Sequence, residues 1–269
     1  MTAESSEFGG RVVVITGAAR GMGQAYAAAF TARGASVVGL DRAWDELPTG
    51  VLALTCDLTR STDVAQACQA TLDRFGRVDV LIANAALRQR DLYPPHGASA
   101  VLETTDEDWR RMFEVNVLGV LGVIRQFVRP MLEQRRGSII TISSGGSVAQ
   151  AAETGAWVGR NPAFRNQPYE ASKAALTSMS FSLAAELQPS NVAVNVVFPA
   201  GTRTTGSDEM VAGRDQLGIR VAPLLRPEHV VPVVLYLAAQ DGAGVTGQAI
   251  DAVQWNAQNG FGAADRWLA

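Results

Sequence analysis

The chain has 269 residues, 47% of them hydrophobic, and carries a formal net charge of −3 at pH 7. This length and hydrophobic content suffice for one large core, and α/β domains often reach this size undivided, so we expect a single domain. The charged fraction of 18% and the slightly negative charge provide no basic surface for binding phosphates. They therefore exclude nucleic acid as an expected partner and argue against an extended disordered protein.

The cysteines and the amino terminus favour a reducing, cytoplasmic location. Cys56 and Cys68 are the only cysteines, and they do not form a CxxC pair. The start of the chain, MTAESSEFGG, is polar where a secretory signal would be basic and then apolar, and residues 1–9 are predicted to be a loose tail. Charged residues, glycine or proline interrupt every apolar run before the roughly 18 residues of a membrane-spanning helix. We therefore expect a soluble protein without a membrane partner.

Apolar runs of strand length recur along the chain, and each is nearly continuous, as in strands buried on both faces of a parallel sheet. They are 11–16, 35–40, 51–56, 78–83, 138–143 and 192–198. Segments with helical spacing lie between or after them, at 21–33, 61–75, 108–134, 169–188 and 227–239. This alternation predicts an α/β fold over residues 10–269, with one Rossmann-type, doubly wound parallel sheet of about seven strands and helices on both faces.

Three segments fall outside this alternation: 87–104, 145–168 and 199–226. All three follow the ends of predicted strands, which is where open α/β sheets bind their ligands. We therefore expect them to form the substrate loops.

A glycine-rich turn, Thr16-Gly17-Ala18-Ala19-Arg20-Gly21-Met22-Gly23, joins the first strand to the first helix. Its spacing is GxxxGxG rather than the general GxGxxG. The strand before it and the helix after it would nevertheless direct backbone amides and a helix N-terminus towards a pyrophosphate. A tight turn without a ligand is the alternative.

Asp41 follows the second predicted strand, about 20 residues beyond the glycines, where a carboxylate can accept hydrogen bonds from both hydroxyls of an adenosine ribose. The same charge would repel a 2′-phosphate. Arg20 and Arg42 could pair with such a phosphate or cover the adenine. We favour NAD over NADP. Placing a carboxylate against a phosphate costs more free energy than leaving an arginine without an ionic partner.

With these features the sequence resembles the short-chain dehydrogenase/reductase (SDR) family, from about Gly10 to about Gly247. Each family motif is weak by itself, but their joint ordered occurrence is specific. The motifs are the glycine turn, Asp57-Leu58, Asn84-Ala85 in the position of NNAG, Asn116, Ser143-Ser144, Tyr169-x-x-x-Lys173, and then Asn195, Pro199 and Thr204.

Tyr169 and Lys173 are four positions apart on a predicted helix and therefore share one of its faces. A free tyrosine has a pKa near 10, so a tyrosine base at neutral pH needs its phenolate stabilised by roughly three units, about 4 kcal/mol. A nearby ammonium is the natural agent. Without the family pattern, the two residues could be an ordinary surface pair.

The resemblance assigns the remaining members of a proton relay. Ser144, at the carboxyl end of the fifth predicted strand, would hold the substrate oxygen, and the alignment favours it over Ser143. Asn116 would interrupt its helix and bind a water that links Lys173 to solvent. Taken alone, Asn116 is better explained as a mildly unfavourable interior asparagine, and Ser144 as a turn residue.

The resemblance also implies the cofactor contacts. Lys173 would hydrogen-bond the nicotinamide ribose, Asp57 and Leu58 would meet the adenine, and Thr202 and Thr204 would hold the carboxamide. The whole predicted cofactor set is Gly17, Arg20, Gly21, Met22, Gly23, Asp41, Arg42, Asp57, Leu58, Asn84, Ala85, Tyr169, Lys173, Pro199, Thr202 and Thr204. A homo-oligomer, tetramer or dimer, is implied as well.

The sequence departs from the family pattern most clearly between Ser144 and Tyr169, a segment about a dozen residues longer than usual that must emerge beside the reaction centre. Trp157 and Phe164 in it are predicted to contact the substrate together with Ser144 and Tyr169, while Arg160 and Arg165 could meet an acidic group. An external flap or a subunit contact is the equally weighted alternative.

The leading hypothesis is hydride transfer between NAD(H) and a fairly apolar, medium-sized secondary alcohol or ketone. The alternatives are a non-catalytic nucleotide sensor or assembly subunit of the same fold, an NADP-dependent carbonyl reductase, and enoyl reduction or sugar epimerisation. His96 and His229 are the only histidines and lie far apart without clustered acidic or cysteine partners, so no metal site is expected and both are predicted at a surface or interface.

Overall fold

A computed structural model describes residues 7–145 and 165–269. Its centre is one seven-stranded sheet in the order β3-β2-β1-β4-β5-β6-β7, and every neighbouring pair is parallel. The strands are β1 Val12–Thr16, β2 Ser36–Asp41, β3 Val51–Thr55, β4 Val80–Ala83, β5 Gly137–Ile142, β6 Val192–Phe198 and β7 Ala249–Asp251. The predicted doubly wound α/β fold is confirmed.

The strand order reverses beside β1, and this reversal determines where a ligand can bind. Val14 of β1 pairs with Val38 of β2 on one side and with Leu81 of β4 on the other. In open α/β sheets such a switch point opens a crevice at the carboxyl ends of the strands. The turn after β1 and the loop after β4 both start at this edge.

Helices cover both faces of the sheet, and the five predicted helical segments are all present. The first four agree with their predicted ends within two residues, whereas the fifth begins with a 3-10 turn at Pro227–Val230 before it continues as α8. Helices α3, α7 and α9 were not predicted, and each is a short helix in a loop or near the carboxyl terminus. The helices are α1 Gly21–Ala32, α2 Ser61–Phe75, α3 Gln89–Leu92, α4 Asp106–Phe113, α5 Val120–Gln134, α6 Tyr169–Leu187, α7 Ser207–Gln216, α8 Val231–Ala238 and α9 Ala252–Gln258.

The core has two layers, one on each face of the sheet. Phe127 of α5 and Leu176 of α6 belong to the layer on one face, and Phe30 of α1 and Val234 of α8 to the layer on the other. Phe8 joins the second layer, with its ring edge-on to Phe30 at a centroid distance of 4.9 Å. The prediction of a loose tail over residues 1–9 is therefore wrong at Phe8, because this aromatic side chain is buried; residues 1–6 lie outside the described part.

The helical run Asp106–Gln134 contains α4, a π-helical turn at Glu114–Gly119, and α5. By length and composition this run could cross a membrane, contrary to the expectation that no apolar stretch is long enough. Half of its most apolar window is buried within the fold, where Ile124 and Phe127 pack against the sheet. A long apolar helix is also typical of a helix that is buried in the core of a folded domain.

The two histidines differ in their surroundings. His96 lies in the loop after β4, where its Nδ1 accepts the Ala98 N–H at 3.0 Å. His229 is fully buried with its Nδ1 2.7 Å from the Arg226 carbonyl oxygen, so its predicted place at a surface or interface is wrong. Within residues 7–145 and 165–269, no cluster of three or more metal-ligating side chains is found.

Candidate active site

The glycine turn between β1 and α1 is held by backbone sterics. Gly17 has φ +68° and Gly21 has φ +58°, a region that side chains rarely adopt. A Cβ at Gly23 would lie 1.9 Å from the Gly17 carbonyl oxygen, so only glycine fits there. Arg20, at the N-cap of α1, is extended and makes no side-chain capping bond, which leaves the first amides of the helix to a ligand.

Asp41, at the end of β2, is half-buried beside this turn. Its Oδ2 accepts the Ala19 N–H at 3.0 Å, and its Oδ1 accepts the Arg42 N–H at 2.8 Å. The carboxylate is thus fixed against the glycine turn and retains lone pairs for further donors. The side chains of Arg20 and Arg42 are exposed at the same edge.

Thr16 connects the turn to the end of β4, a role that the sequence did not reveal. Its Oγ1 accepts the backbone N–H groups of Asn84 and Ala85, both at 3.0 Å. Asn84 reciprocates, because its Nδ2 donates to the carbonyl oxygens of Thr16 at 2.9 Å and Gly17 at 3.2 Å. Asn84 and Ala85 therefore lie against the glycine turn. The Thr16 hydroxyl, directly before Gly17 in the sequence, was a feature that could have indicated this role.

Asp57 and Leu58 follow β3 on the same edge. The Asp57 Oδ1 accepts the Thr59 N–H at 2.9 Å and the Thr59 hydroxyl at 2.8 Å. Burial raises the pKa of Asp57. The Thr59 hydrogen bonds and the charge of Arg42 lower it by more than burial raises it, so the pKa of this carboxyl lies below its ordinary value. Leu58 is buried in the core layer that contains Phe127.

Tyr169 and Lys173 come together at the start of α6. Lys173 is 2% exposed, and its Nζ lies 5.8 Å from the centroid of the Tyr169 ring. The same Nζ donates to the carbonyl oxygen of Ile142, the last residue of β5, at 2.8 Å. An ammonium group is thus held between the end of β5 and the Tyr169 ring.

The pKa values of this pair are governed by burial. Burial lowers the pKa of Lys173 to about 8. Burial also raises the pKa of Tyr169 to about 12; Arg88 offsets part of this rise, whereas Glu170 and Asp91 add to it. Desolvation acts against the stabilisation of the phenolate that the sequence predicted from Lys173, and that stabilisation stays a prediction.

The two serines after β5 have different surroundings. The Ser143 Oγ donates to the Lys173 carbonyl oxygen at 3.0 Å and lies 2.7 Å from the Thr177 Oγ1, so its hydroxyl joins β5 to α6. Ser144 is half-buried and is the next residue out along the loop. The Ser143 hydroxyl is thus engaged within the fold, and the choice of Ser144 as the serine that faces a substrate stays a prediction.

Asn116 is fully buried in the π-helical turn Glu114–Gly119, where the regular helical hydrogen bonding is interrupted. Its Oδ1 accepts the Leu87 N–H at 2.7 Å, and its Nδ2 donates to the Leu87 carbonyl oxygen and to the Ser172 Oγ, both at 3.0 Å. The side chain therefore anchors the first residue of the 87–104 loop to α6. Its predicted water link to Lys173 stays a prediction.

Thr202 and Thr204, in the loop after Pro199, lie over the glycine turn. The Thr202 Oγ1 is 3.7 Å from the Met22 Sδ, and a Cβ on Gly21 would be 3.0 Å from the Thr204 Cγ2. Arg90, which belongs to none of the sequence motifs, donates to the Thr204 Oγ1 at 2.8 Å. The loops after β4 and β6 are thus joined next to α1.

The predicted substrate contacts are only partly described. Trp157, Phe164 and Arg160 lie outside the described residues, and their roles stay predictions. Arg165 is exposed, and its carbonyl oxygen accepts the Ser99 N–H at 3.0 Å.

This set of groups fits a dinucleotide cofactor. The glycines leave space that a Cβ would fill, the α1 N-terminus offers amides, and Asp41 offers acceptors next to them. The nucleotide end of such a ligand would lie on this side of the sheet edge, and its reactive end would be directed towards Lys173 and Tyr169.

Comparison with known proteins agrees with this geometry. The family model described as short chain dehydrogenase matches residues 11–215. Fluoren-9-ol dehydrogenase of a Terrabacter species is 40% identical over 97% of this chain and 76% of its own length. The 2,3-dihydro-2,3-dihydroxybenzoate dehydrogenase of Escherichia coli is 31% identical over 91% of this chain and 96% of its own.

The similarity extends to the fold of a solved structure. The 3-ketoacyl-(acyl-carrier-protein) reductase from Brucella melitensis, complexed with NADH, superposes with a TM-score of 0.74 at 26% identity. The match covers 91% of this chain and 97% of that one. Together with the family match over residues 11–215, this establishes that the chain belongs to the short-chain dehydrogenase/reductase family of oxidoreductases, which bind a nicotinamide cofactor.

Proposed function

We propose that this chain is an NAD-dependent oxidoreductase that interconverts a fairly apolar, medium-sized secondary alcohol and the corresponding ketone. The observation that carries the proposal is the buried Lys173 ammonium, held between the end of β5 and the Tyr169 ring. Burying a cation costs stability, and such costs are commonly retained for function.

Each side chain has a distinct part in the proposed reaction. The Ser144 hydroxyl hydrogen-bonds the substrate oxygen, and the Tyr169 phenolate takes the hydroxyl proton as hydride leaves the carbinol carbon. Lys173 holds positive charge near the phenolate, and Asn116 orders a water through which the proton reaches solvent. Ketone reduction runs through the same groups in reverse, with Tyr169 as the acid.

Burial by itself holds Tyr169 in its neutral form, since it raises the pKa to about 12. Alcohol oxidation therefore requires positive charge near the phenol that lowers this pKa. A bound oxidised nicotinamide supplies both the hydride acceptor and a positive ring. Without such a charge Tyr169 stays protonated, and the protonated phenol is the form that acts as the acid in ketone reduction.

The preference for NAD rests on Asp41. Its carboxylate is fixed by the Ala19 and Arg42 amides, so it cannot swing away from a 2′-phosphate without breaking two hydrogen bonds. Arg42 and Arg20 are exposed and can cover the adenine. NADP would place two anionic groups together at this edge.

The substrate class in this proposal draws on a relative. The name of the Terrabacter relative, fluoren-9-ol dehydrogenase, denotes a secondary alcohol between aromatic rings, which agrees with the apolar substrate expected from the sequence. We therefore propose an aromatic or similarly apolar secondary alcohol.

The proposal extends to the setting in which the enzyme works. Both cysteines are free and buried, as suits a reducing cytoplasm. Leu118 is 62% exposed and Phe181 is 41% exposed, and covering such side chains favours a homo-oligomer, tetramer or dimer. Light scattering on the purified protein measures the oligomeric state directly.

The decisive experiment measures reduced-nicotinamide absorbance with NAD and with NADP against a panel of secondary alcohols and ketones that includes fluoren-9-ol. We expect turnover preferentially with NAD, and a loss of about 10³-fold in kcat for Tyr169→Phe, the range for removing a general base. Tyr236→Phe is the matched control, because Tyr236 is partly exposed on α8 and packs against Trp255. Unchanged turnover in Tyr169→Phe would refute the relay, and tight NAD binding without turnover across the panel would favour a nucleotide sensor.

A further inference from the structure

The amino terminus of α6 is capped only in part by the residues that precede it. The Gln167 Oε1 accepts the Ala171 N–H at 3.2 Å and the Asn166 carbonyl oxygen accepts the Glu170 N–H at 3.1 Å, which leaves the Tyr169 N–H to be bonded from elsewhere. Tyr169 is the first residue of this helix, and the preceding Pro168 at the N-cap has no side-chain oxygen that could accept a hydrogen bond. The first N–H groups of any helix have no partner within the helix, so a half-buried one needs an acceptor from elsewhere. The backbone N–H of Tyr169 is one of these groups.

Gln89 provides that acceptor from a distant part of the chain. It lies on the short helix α3, 80 positions before Tyr169, and its Oε1 accepts the Tyr169 N–H at 3.2 Å. The side chain is 4% exposed, so water does not compete well for this bond. The Gln89 Nε2 donates to the Ser99 Oγ at 2.8 Å and to the Gln167 carbonyl oxygen.

Ser99 strengthens the same connection. Its Oγ donates to the Gln167 carbonyl oxygen at 2.9 Å, and its N–H donates to the Arg165 carbonyl oxygen at 3.0 Å. The loop after β4 is therefore bonded to the residues that lead directly into α6. The Gln89 amide group thus bonds Tyr169 and Gln167 directly, and it also bonds Ser99, which itself donates to Gln167.

We propose that Gln89 is a positioning residue for Tyr169, acting as an N-cap supplied by another segment to hold the first turn of α6 and the phenol at its working distance from Lys173. The inference rests on the proposed function, because it concerns the placement of the proposed base. In the contacts of residues 7–145 and 165–269, the Gln89 side chain bonds the Tyr169 backbone and not its phenol. Its effect passes through the Tyr169 backbone, and the ring centroid now lies 5.8 Å from the Lys173 Nζ.

Loss of the cap has a definite chemical consequence. If the first turn of α6 loosens, the phenol moves away from the Lys173 ammonium on average, and the phenolate loses electrostatic stabilisation. The pH above which Tyr169 can act as a base then rises. A residue that only supports the fold would lower stability without moving this pH.

The test compares Gln89→Met with Gln69→Met. Methionine keeps the approximate volume of glutamine and removes its hydrogen bonds, and Gln69 is an exposed residue of α2 that bonds only Asp73 among the contacts described. In hydrogen exchange of the cofactor-free protein, we expect peptides covering residues 166–173 to exchange about fivefold faster in Gln89→Met. The same peptides in Gln69→Met should match the wild type.

Activity supplies the second readout. In Gln89→Met we expect kcat for alcohol oxidation to fall about tenfold, with the acid limb of the pH profile displaced upwards by about 0.5 pH unit and the Kd for NAD unchanged. Should this variant fold poorly, Ser99→Ala, which removes the partner of the Gln89 Nε2, is expected to give the same pattern at about twofold in exchange rate.

The outcomes separate this inference from the function on which it rests. Unchanged exchange at residues 166–173, or reduced stability with an unmoved pH limb, would overturn the role of Gln89 while wild-type activity that depends on Tyr169 stands. Wild-type turnover that survives Tyr169→Phe would instead refute the proposed function. Faster exchange together with a displaced pH limb supports both.

Discussion

The glycine turn and the loops around Tyr169 lie at the same edge of the sheet, yet different interactions hold them in place. The turn is defined by neighbouring backbone atoms, such as the Gly17 carbonyl oxygen against Gly23. The loops are joined by side chains from remote segments, as Arg90 joins Thr204. One side of the site is therefore fixed by local sterics, and the other by a few long-range hydrogen bonds.

This difference implies different tolerance to change. Steric constraints on a turn leave almost no alternative residues, so a substitution there damages the fold and cofactor binding together. Hydrogen bonds between loops can be exchanged for others at about 1 kcal/mol each, so the substrate side can diverge while the fold is kept. Substitutions on each side of the site can break this contrast, and the largest effect is expected at the turn.

Gly23→Ala should have the largest effect. The added methyl group would lie 1.9 Å from the Gly17 oxygen and 2.7 Å from the Gly17 carbonyl carbon, and backbone atoms cannot move aside as a flexible side chain can. We expect the free energy of unfolding to fall by about 3 kcal/mol, with loss of NADH binding. Urea unfolding and NADH fluorescence titration measure the two quantities.

Gly122→Ala is the matched control for that substitution. Gly122 lies within α5, and a Cβ there would meet no other atom within 4 Å. Because alanine favours helix over glycine, we expect this variant to be more stable by about 0.5–1 kcal/mol, with unchanged NADH binding. Equal destabilisation by both substitutions would show that sterics do not define the turn.

Lys173→Met should produce an effect that depends on pH. The lysine titrates near 10.5 when unfolded and at about 8 in the fold, so between these values the unfolded chain binds the additional proton. Wild-type stability relative to Lys173→Met should therefore rise as pH increases through this window. We expect a gain of about 2 kcal/mol from pH 7 to pH 9.5, measured by urea unfolding of both proteins.

The comparison with the variant removes contributions from other titrating groups, which both proteins share. The lost hydrogen bond to the Ile142 carbonyl oxygen contributes an offset that is the same at every pH. A stability difference that stays constant between pH 7 and pH 9.5 would mean that Lys173 is not desolvated in the fold.

Arg214→Met should have the smallest effect of these substitutions, and this effect should concern substrate binding rather than cofactor binding. Arg214 is 4% exposed on α7 and donates to the carbonyl oxygens of His96, at 2.8 Å, and Gly97, joining the loops after β6 and β4. We expect unfolding stability to fall by about 1.5 kcal/mol and KM for the alcohol to rise about fivefold, with an unchanged Kd for NAD. Initial-rate kinetics and NAD titration measure these values.

Arg203→Met is its control in the same loop. Arg203 pairs with Asp208 at 2.6 Å, but the two side chains are 49% and 75% exposed, so the pair contributes little to stability. We expect a change of less than about 0.5 kcal/mol. If Arg214→Met weakens NAD binding as much as it raises KM, the two sides of the site are not independent.

The same contrast explains how much the sequence could predict. Buried strands and the helices between them carry continuous local patterns, so six strands and five helical segments were located from the sequence alone. The glycine turn and the Tyr169–Lys173 spacing are equally local. The last strand, Ala249–Asp251, has only three residues and is largely exposed, so it leaves no apolar run to detect.

The features that were missed depend on partners far away in the chain. Phe8 is one aromatic residue in a polar segment, and only its packing on Phe30 explains it. Gln89 is unremarkable in a polar loop until α6 places the Tyr169 N–H against it. The burial of Tyr169, which raises its pKa, likewise cannot be read from two residues on a helix face.

The bond between Asp41 and the Ala19 amide has a consequence for changing the cofactor. The carboxylate proposed to select NAD also braces the turn that is proposed to hold the pyrophosphate. An Asp41→Arg exchange designed to admit NADP would remove that brace together with the repulsive charge, so its gain would be offset by a looser turn. Asp41→Asn retains an acceptor for Ala19 and is the more suitable starting point for such redesign.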